Sequence, residues 1–175
     1  VREGFHAAVR QGIGPWAGLE SERLFEQPSF IVVGSPSAAR RLVGAQPEAL
    51  AREPLLGDND VWKDWFAAAG LRVNVRTVAV FNDAGLMLQA AEQSLGLALA
   101  REIHAADALI DGRLVRLSPI TVTHEEAQPY HLVYPPALRD WPPLDAFRRW
   151  LRDELYQLKS LLAEDENLKP WERIK

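Results

Sequence analysis

The chain has 175 residues, of which 47% are hydrophobic and 25% are charged, with a formal net charge of −4 and no cysteine. This composition is typical of a globular protein, the negative charge argues against nucleic-acid binding by this chain alone, and the lack of cysteine excludes disulfides and thiolate metal sites. No apolar run approaches the roughly 18 residues of a membrane span, and the first residues lack a starting Met and do not form a signal peptide, so we expect a cytoplasmic fragment of a longer protein.

Short strands and helices alternate through the first 70 residues. The continuous apolar run at residues 30–34 has the length expected of a buried parallel strand. Ser35 is the expected N-cap of the next helix, and Pro36 is its expected first residue. The other elements predicted here are strands at residues 5–10 and 55–57, a glycine-rich loop at 11–18, an extended segment from Leu24, and helices at 47–51 and 61–69, the last closed by Gly70.

Residues 77–100 carry the clearest functional pattern. A β-prone run ends at Asn82 and Asp83, both strong helix N-cap residues. A helix-like segment follows, Gly96 is its expected C-cap, and an apolar run begins directly after it. This order predicts a βαβ unit with a crevice where the first strand meets the helix N-terminus. Free N–H groups there suit an anionic or carbonyl-bearing ligand, which predicts small-molecule binding.

The last third of the chain ends in a long helix. Residues 105–109 predict a helix, residues 114–117 and 130–134 predict strands, and the charged segment 163–175 predicts a loosely ordered tail. From Leu144 the apolar side chains step by three or four residues onto one helix face: Leu144, Phe147, Leu151, Leu155, Leu158 and Leu162. Strands that alternate with helices indicate an α/β protein.

Catalytic and metal-binding patterns find little support. Residues 124–128 begin like a zinc-protease helix, but Gln128 stands where the second histidine is needed. The four histidines show no ligand spacing, and there is no nucleophile elbow or phosphate-loop lysine. We therefore expect no enzyme activity, no cofactor and no metal site, and an enzyme on an α/β sheet is the third and weakest interpretation.

Many short segments, in order and spacing over residues 5–155, resemble one family. The matching residues are 7–10, 14–19, 32–36, 50–51, 54–56, 62, 65, 69–71, 88–91, 96–99, 112–115, 132–135 and 147–151. Together they resemble the effector-binding region of the LysR-type transcriptional regulators, in particular the subgroup of the glycine-cleavage-system activator and the β-lactamase regulator.

The resemblance implies an α/β fold like that of the type II periplasmic binding proteins, with an effector between two lobes joined by two crossing strands. Relative to the family, the winged helix-turn-helix, the linker helix and the opening units of the first lobe are missing. We therefore expect one nearly complete lobe plus a remnant of the other. The implied divisions are residues 1–23 (last strand of the first lobe, hinge crossing and loop), 24–128 (second lobe), 129–143 (returning hinge strand) and 144–175 (first-lobe C-terminal helix and charged tail).

The resemblance also implies the effector-binding residues. Asn82, Asp83 and Ala84 occupy a turn that contacts effector in the related regulators, although Ala84 stands where a serine is common, and helix capping alone is the alternative. Tyr130 lies where those regulators place a pocket aromatic residue, with hinge packing as its alternative. Trp16 can reach the rim of the cleft, although packing under its loop is favoured. Residues 58–60 resemble the acidic turn that lines the mouth of the second lobe in relatives, although a solvated turn is favoured.

The function implied is that of a regulatory domain which senses a small-molecule effector. DNA would be bound only through the absent winged helix-turn-helix, and RNA polymerase would be contacted by the full-length protein. The alternative is a stand-alone solute-binding protein of the same fold. The leucine face of the last helix predicts self-association, with helix exchange as one route. The alternative is that this helix folds back onto the second lobe.

Overall fold

The structure is a computed structural model that describes residues 4–24, 29–124 and 128–164, with the backbone alone for the last two residues. Its strands and helices, numbered in chain order, are β1 Ala8–Gln11, β2 Glu20–Arg23, β3 Ser29–Gly34, α1 Pro36–Leu42, α2 Pro47–Leu50, β4 Leu55–Leu56, α3 Asn59–Ala68, α4 Ala84–Glu92, β5 Leu97–Arg101, α5 Glu102–Ile110, β6 Val115–Arg116, β7 Val122–Thr123, β8 Tyr130–Tyr134 and α6 Pro142–Glu164, with a 3₁₀ turn at Pro136–Leu138. No helix in the described ranges is both long and apolar enough to cross a membrane.

The first of two compact units contains the described residues 4–24 and 128–163. Its sheet has the strand order β1-β8-β2, and β8 runs antiparallel to both neighbours. Successive side chains of a strand point to opposite faces, so Leu132 and Tyr134 share one face of β8. They form a small core with Leu144, the first buried residue of α6. The amphipathic helix predicted from Leu144 is confirmed, and it begins two residues earlier, at Pro142.

The second unit contains residues 29–124. Its sheet has the order β4-β5-β3-β6, and β7 also pairs with β3. The large aromatic side chains of α3 fill the core beside this sheet, where the Trp62 and Phe66 rings stack at 5.6 Å. The indole N–H of Trp62 donates to the carbonyl oxygen of Leu56 at 2.9 Å, which anchors α3 to β4.

The direction predicted for the apolar run at residues 30–34 is wrong. The run does form a buried strand, β3, but β3 is antiparallel to β5, β6 and β7. A continuous apolar run indicates burial on both faces of a sheet, and burial is the same for either strand direction. Only the pair β4 and β5 is parallel among the described strands.

The βαβ prediction is correct in order and wrong in two details. Residues 77–81 form one parallel bridge, between Leu56 and Ala79, rather than a full strand. Helix α4 ends at Glu92, so Gly96 is not its C-cap. Ser94 takes the left-handed conformation at that end instead, with a φ of 63°.

Ser94 completes a Schellman motif. Its N–H donates to the carbonyl of Ala91, and the N–H of Leu95 donates to the carbonyl of Ala90, both at 3.0 Å. These two bonds satisfy the last carbonyls of α4. Gly96 is needed for a different reason, because a Cβ atom there would lie 2.6 Å from the carbonyl oxygen of Pro54.

Several local predictions are confirmed and others shift by a few residues. Ser35 caps α1 by accepting the N–H of Ala38, and Gly70 follows α3 with a positive φ. The strand predicted at residues 5–10 is observed at Ala8–Gln11, and extended structure precedes Leu24 as β2. The tail predicted from residue 163 is wrong in its first two residues, which still belong to α6. The rest of the tail and most of the protease-like stretch after His124 lie outside the described residues.

Candidate functional site

The turn that opens α4 contains the three adjacent residues predicted to contact a ligand. Asp83 Oδ1 accepts the backbone N–H of Leu86 at 2.9 Å, so Asp83, not Asn82, is the N-cap. Asn82 is exposed, and its side chain forms no hydrogen bond with the described part of the chain. Ala84 is the first helical residue and is half-buried. The turn therefore combines a carboxylate engaged in capping with an amide side chain open to solvent.

Three parallel segments of the second unit bring this turn to one edge of the sheet. Strand β4 pairs in parallel with β5, and Leu56 forms a parallel bridge with Ala79. The carboxyl ends of parallel segments meet at one sheet edge. The turn at Asn82 therefore shares this edge with Gly57, which follows β4, and with Arg101, which ends β5.

Close contacts fix these segments to one another. Gly57 has a φ of +104°, and a Cβ atom on it would lie 2.9 Å from the sulfur of Met87, one turn into α4. The side-chain oxygen of Asn59 accepts the backbone N–H of Thr77 at 2.9 Å. The first turns of α3 and α4 are thus held beside the end of β4 before any ligand binds.

The acidic turn of residues 58–60 serves as a helix cap. Asp58 Oδ1 accepts the N–H of Asp60 at 2.7 Å, which makes Asp58 the N-cap of α3. Asp60 pairs with Lys63 at 2.6 Å, and this hydrogen bond lowers the pKa of the exposed Asp60 carboxyl. Capping and a solvated ion pair account for these charges, as expected for a solvated turn.

The same edge carries a cation that the sequence analysis missed. Arg101 is buried, with its guanidinium carbon 5.7 Å from the centroid of the Phe30 ring. Burial lowers the pKa of the nearby His104, the charge of Arg101 lowers it further, and the charge of Asp83 opposes both. His104 is therefore neutral near pH 7. The signal that would have found Arg101 is an arginine directly after the predicted strand 97–100, at the carboxyl end of the sheet.

Trp16 and Tyr130, the two remaining predicted site residues, lie in the first unit. The Trp16 ring packs edge-on against His131 at a centroid distance of 5.0 Å, and Arg10 lies 5.7 Å from the same ring. Gly12 leaves room for it, since a Cβ atom there would lie 3.1 Å from the indole. Trp16 thus packs against its own loop, and its contact with an effector stays a prediction.

Tyr130 begins β8 and links two neighbouring segments through its backbone. It is paired with Gln11 of β1, and its carbonyl accepts the N–H of Leu24 at 2.9 Å. Its side chain is half-buried. The structure therefore brings Asn82, Asp83 and Ala84 together in the second unit and places Tyr130 and Trp16 in the first.

The chemistry available at the α4 turn is that of reversible binding. The edge of the sheet around this turn offers the Asn82 amide, the capping carboxylates of Asp58 and Asp83, and the Arg101 guanidinium, all suited to hydrogen bonds and charge pairing. No group of three or more potential metal ligands occurs within the described ranges. His124, which began the protease-like pattern, pairs instead with Asp64 of α3 at 2.6 Å.

Comparison with known proteins identifies relatives over most of the chain. The family described as "LysR substrate binding domain" matches residues 1–156. The HTH-type transcriptional activator AmpR of Citrobacter koseri is 34% identical over 157 residues, which cover 85% of this chain and 50% of that protein. The glycine cleavage system transcriptional activator of Escherichia coli K12 is 30% identical over 151 residues, covering 82% of this chain and 48% of that protein. The chain thus spans about half the length of these curated relatives.

Solved structures agree with the sequence relatives. The effector domain of AmpR from Pseudomonas aeruginosa superimposes with a TM-score of 0.72 at 31% identity, covering 94% of this chain and 78% of that one. The AmpR effector-binding domain of Citrobacter freundii gives a TM-score of 0.70 at 24% identity over 89% of this chain and 77% of that one, which supports the fold alone. These likenesses bear out the α/β fold of the type II periplasmic-binding-protein kind.

Proposed function

Because the chain belongs to the LysR substrate binding domain family, we propose that a small-molecule effector contacts the turn of Asn82, Asp83 and Ala84. One observation carries this proposal: three parallel segments end at the same edge, where Asn82 presents an exposed amide beside the Asp83 cap. A side chain whose hydrogen-bonding groups are unused in the protein can exchange water for a ligand at little cost.

The charges at this edge favour a polar effector with both donors and acceptors. Asp83 already accepts one N–H of the first turn of α4, and its carboxylate is negative. The helix N-terminus therefore favours an anionic ligand less than free N–H groups alone would. Arg101 supplies the compensating positive charge at the end of β5. Among proteins that share the fold, LysG of Corynebacterium glutamicum has been solved with the effector Arg bound.

For the first unit we propose separately that Tyr130 and Trp16 contact an effector. Tyr130 has the aromatic body and polar tip that suit the wall of a binding site. Trp16 supports this region indirectly by packing against His131, the residue after Tyr130.

In the whole regulator, effector binding would bias a homo-oligomer between two arrangements on a promoter. The effector acts only through its different affinity for the two arrangements. DNA contact through a helix-turn-helix segment, contact with RNA polymerase and a cytoplasmic location are parts of this proposal. A stand-alone solute-binding protein is not favoured, because the matched curated relatives are transcriptional activators and regulators.

A ligand screen followed by a matched pair of variants tests the effector site. Amino acids and cell-wall fragments are screened by thermal shift, and the affinity of any hit is measured by calorimetry. Asn82→Ala should weaken binding by about five- to thirtyfold, the loss of one or two hydrogen bonds. Gln89→Ala, which truncates an exposed amide on the same helix, should leave the affinity unchanged. Unchanged affinity in Asn82→Ala would reject the assigned contact.

A further inference from the structure

A groove lies along α6 in the first unit, far along the chain from the α4 turn. It has a cavity volume of about 210 Å³, and its walls come from α6, β8 and the end of β2. Its floor is apolar and consists of Leu24, Leu132, Leu151 and Leu155. Leu132 and Leu151 also belong to the small core of this unit, so the floor is fixed by the fold.

The groove has a strongly cationic rim. The charged residues among those lining it are Arg23, Arg148, Arg152, Lys159 and Glu22. The one carboxylate among the described lining residues is already engaged, because Glu22 accepts the phenolic O–H of Tyr134 at 2.5 Å and pairs with Arg148. Arg152 and Lys159 form no ion pair with the described part of the chain. Within the described residues, two cations of the rim, Arg152 and Lys159, are therefore not neutralised by a carboxylate.

Arg148 is held in place at one wall of the groove. Its guanidinium carbon lies 5.5 Å from the centroid of the Tyr134 ring, and Glu22 pairs with one terminal nitrogen. The Nε–H of Arg148 is buried with no hydrogen-bond acceptor among the described residues. The wall of the groove therefore contains one buried donor that the described residues do not satisfy.

We propose that this groove binds a small anionic amphiphile, a carboxylate with a short alkyl chain or a single ring. Its apolar body would lie on the leucine floor, and its carboxylate would lie beside Arg152 and Lys159. The volume is below the range of roughly 300–1,000 Å³ found for drug-sized ligands, which favours one short chain. A free molecule rather than an anionic bilayer fits the net charge of −4, since the chain as a whole is repelled by such a surface.

Calorimetry with octanoate, octylammonium and octan-1-ol on the 175-residue chain tests the charge requirement. Octanoate should bind about tenfold more tightly than octan-1-ol, and octylammonium should bind most weakly, since the rim attracts anions. Comparable affinity for octylammonium and octanoate would overturn the proposal, because the cationic rim would then contribute nothing.

Two variants on the same helix test the location. The double variant Arg152→Gln with Lys159→Gln should weaken octanoate binding by roughly five- to tenfold, as expected for two solvent-accessible charge contacts. The control Arg149→Gln removes an arginine from α6 that pairs with Asp145 and does not line the groove, and it should keep the affinity within about twofold. An equal loss in both proteins would overturn the assignment to the groove.

Two further measurements distinguish this proposal from membrane binding and from ligand binding at the α4 turn. The chain should not sediment with phosphatidylglycerol vesicles. If it does, and if the double variant abolishes this sedimentation, the groove binds a membrane surface and the proposal is overturned. Asn82→Ala should bind octanoate like the unaltered chain, because the α4 turn belongs to the other unit. Loss of octanoate binding in Asn82→Ala would overturn the proposal of a ligand site in the α6 groove, without contradicting the effector site proposed at the α4 turn.

Discussion

Gly96 lies so close to Pro54 that a Cβ atom on it would stand 2.6 Å from the carbonyl oxygen of Pro54. The N–H of Leu97 donates to the same oxygen at 2.8 Å, so β5 cannot move away without losing a hydrogen bond. This close approach fixes β5 against the start of β4 and thereby aligns two of the segments that reach the candidate site.

Replacement of Gly96 by alanine should lower the free energy of unfolding by about 1–3 kcal/mol, the usual cost of an overpacked site. Urea denaturation at neutral pH measures the change. Gly85→Ala is the control, since its added methyl would lie 3.1 Å from one side-chain oxygen, the capping Oδ1 of Asp83, rather than 2.6 Å from a backbone carbonyl. Equal stability of Gly96→Ala and the unaltered chain would contradict the close approach.

Ser94 has a positive φ at the end of α4, where glycine is unstrained. Ser94→Gly and Ser94→Ala both remove the hydroxyl that bonds with Ser35 and Ser37, so their difference isolates the backbone. The glycine variant should be more stable than the alanine variant by about 1 kcal/mol. Thermal unfolding of the two variants decides this, and equal midpoints would exclude the left-handed conformation.

His104 should make stability depend on pH below neutrality. Burial lowers the pKa of His104 in the folded protein from the ordinary value of 6.5. The contribution of the neutral imidazole to the free energy of unfolding is therefore present above pH 6.5 and is lost as the pH falls through the lowered pKa of the folded state. Urea midpoints measured from about pH 7.5 to 5 should fall less steeply in His104→Gln than in the unaltered chain. Identical slopes would show that the imidazole is not desolvated.

Tyr134 should have the opposite effect at alkaline pH. Burial and the hydrogen bond to Glu22 raise the pKa of its phenol from 10.0 to about 12. The protonated phenol therefore stabilises the fold fully at a pH below its pKa in the unfolded state. That stabilisation is lost as the pH rises through its pKa in the folded state. Unfolding curves of Tyr134→Phe should show a shallower decline over this interval, and a decline as steep as in the unaltered chain would be inconsistent with the raised pKa.

Helix α6 retains apolar surface that favours self-association. Leu144 is buried, whereas Phe147 and Trp150 are 39% and 54% exposed with their rings 5.6 Å apart. We expect oligomers at micromolar concentration by light scattering, and Phe147→Ser with Trp150→Ser should shift them toward monomers. Gln157→Ser, an exposed change on the same helix, should have no effect. A clean monomer of the unaltered chain would refute the prediction.

The sequence predicts those parts of the candidate site that depend on interactions between residues close together in the chain. Asp83 was recognised as a capping residue because its short side chain reaches an N–H three residues ahead, and the structure confirms that bond. Arg101 was missed because its relation to Phe30 depends on the pairing of β5 with β3, 71 positions apart along the chain. The α6 groove depends likewise on strands and a helix that are distant in sequence.

The sequence by itself determined the kind and order of most elements, and through its scattered family residues it determined the fold class. Caps, prolines and apolar periodicity act within a few residues, so Ser35, Asp83 and the leucines of α6 could be interpreted without neighbours. Tertiary structure alone decided that β3 runs antiparallel to β5 and that cationic side chains from α6 and β2 surround one apolar floor. Strand direction and side-chain clusters depend on partners remote in sequence, and a local pattern carries no information about which partner will be chosen.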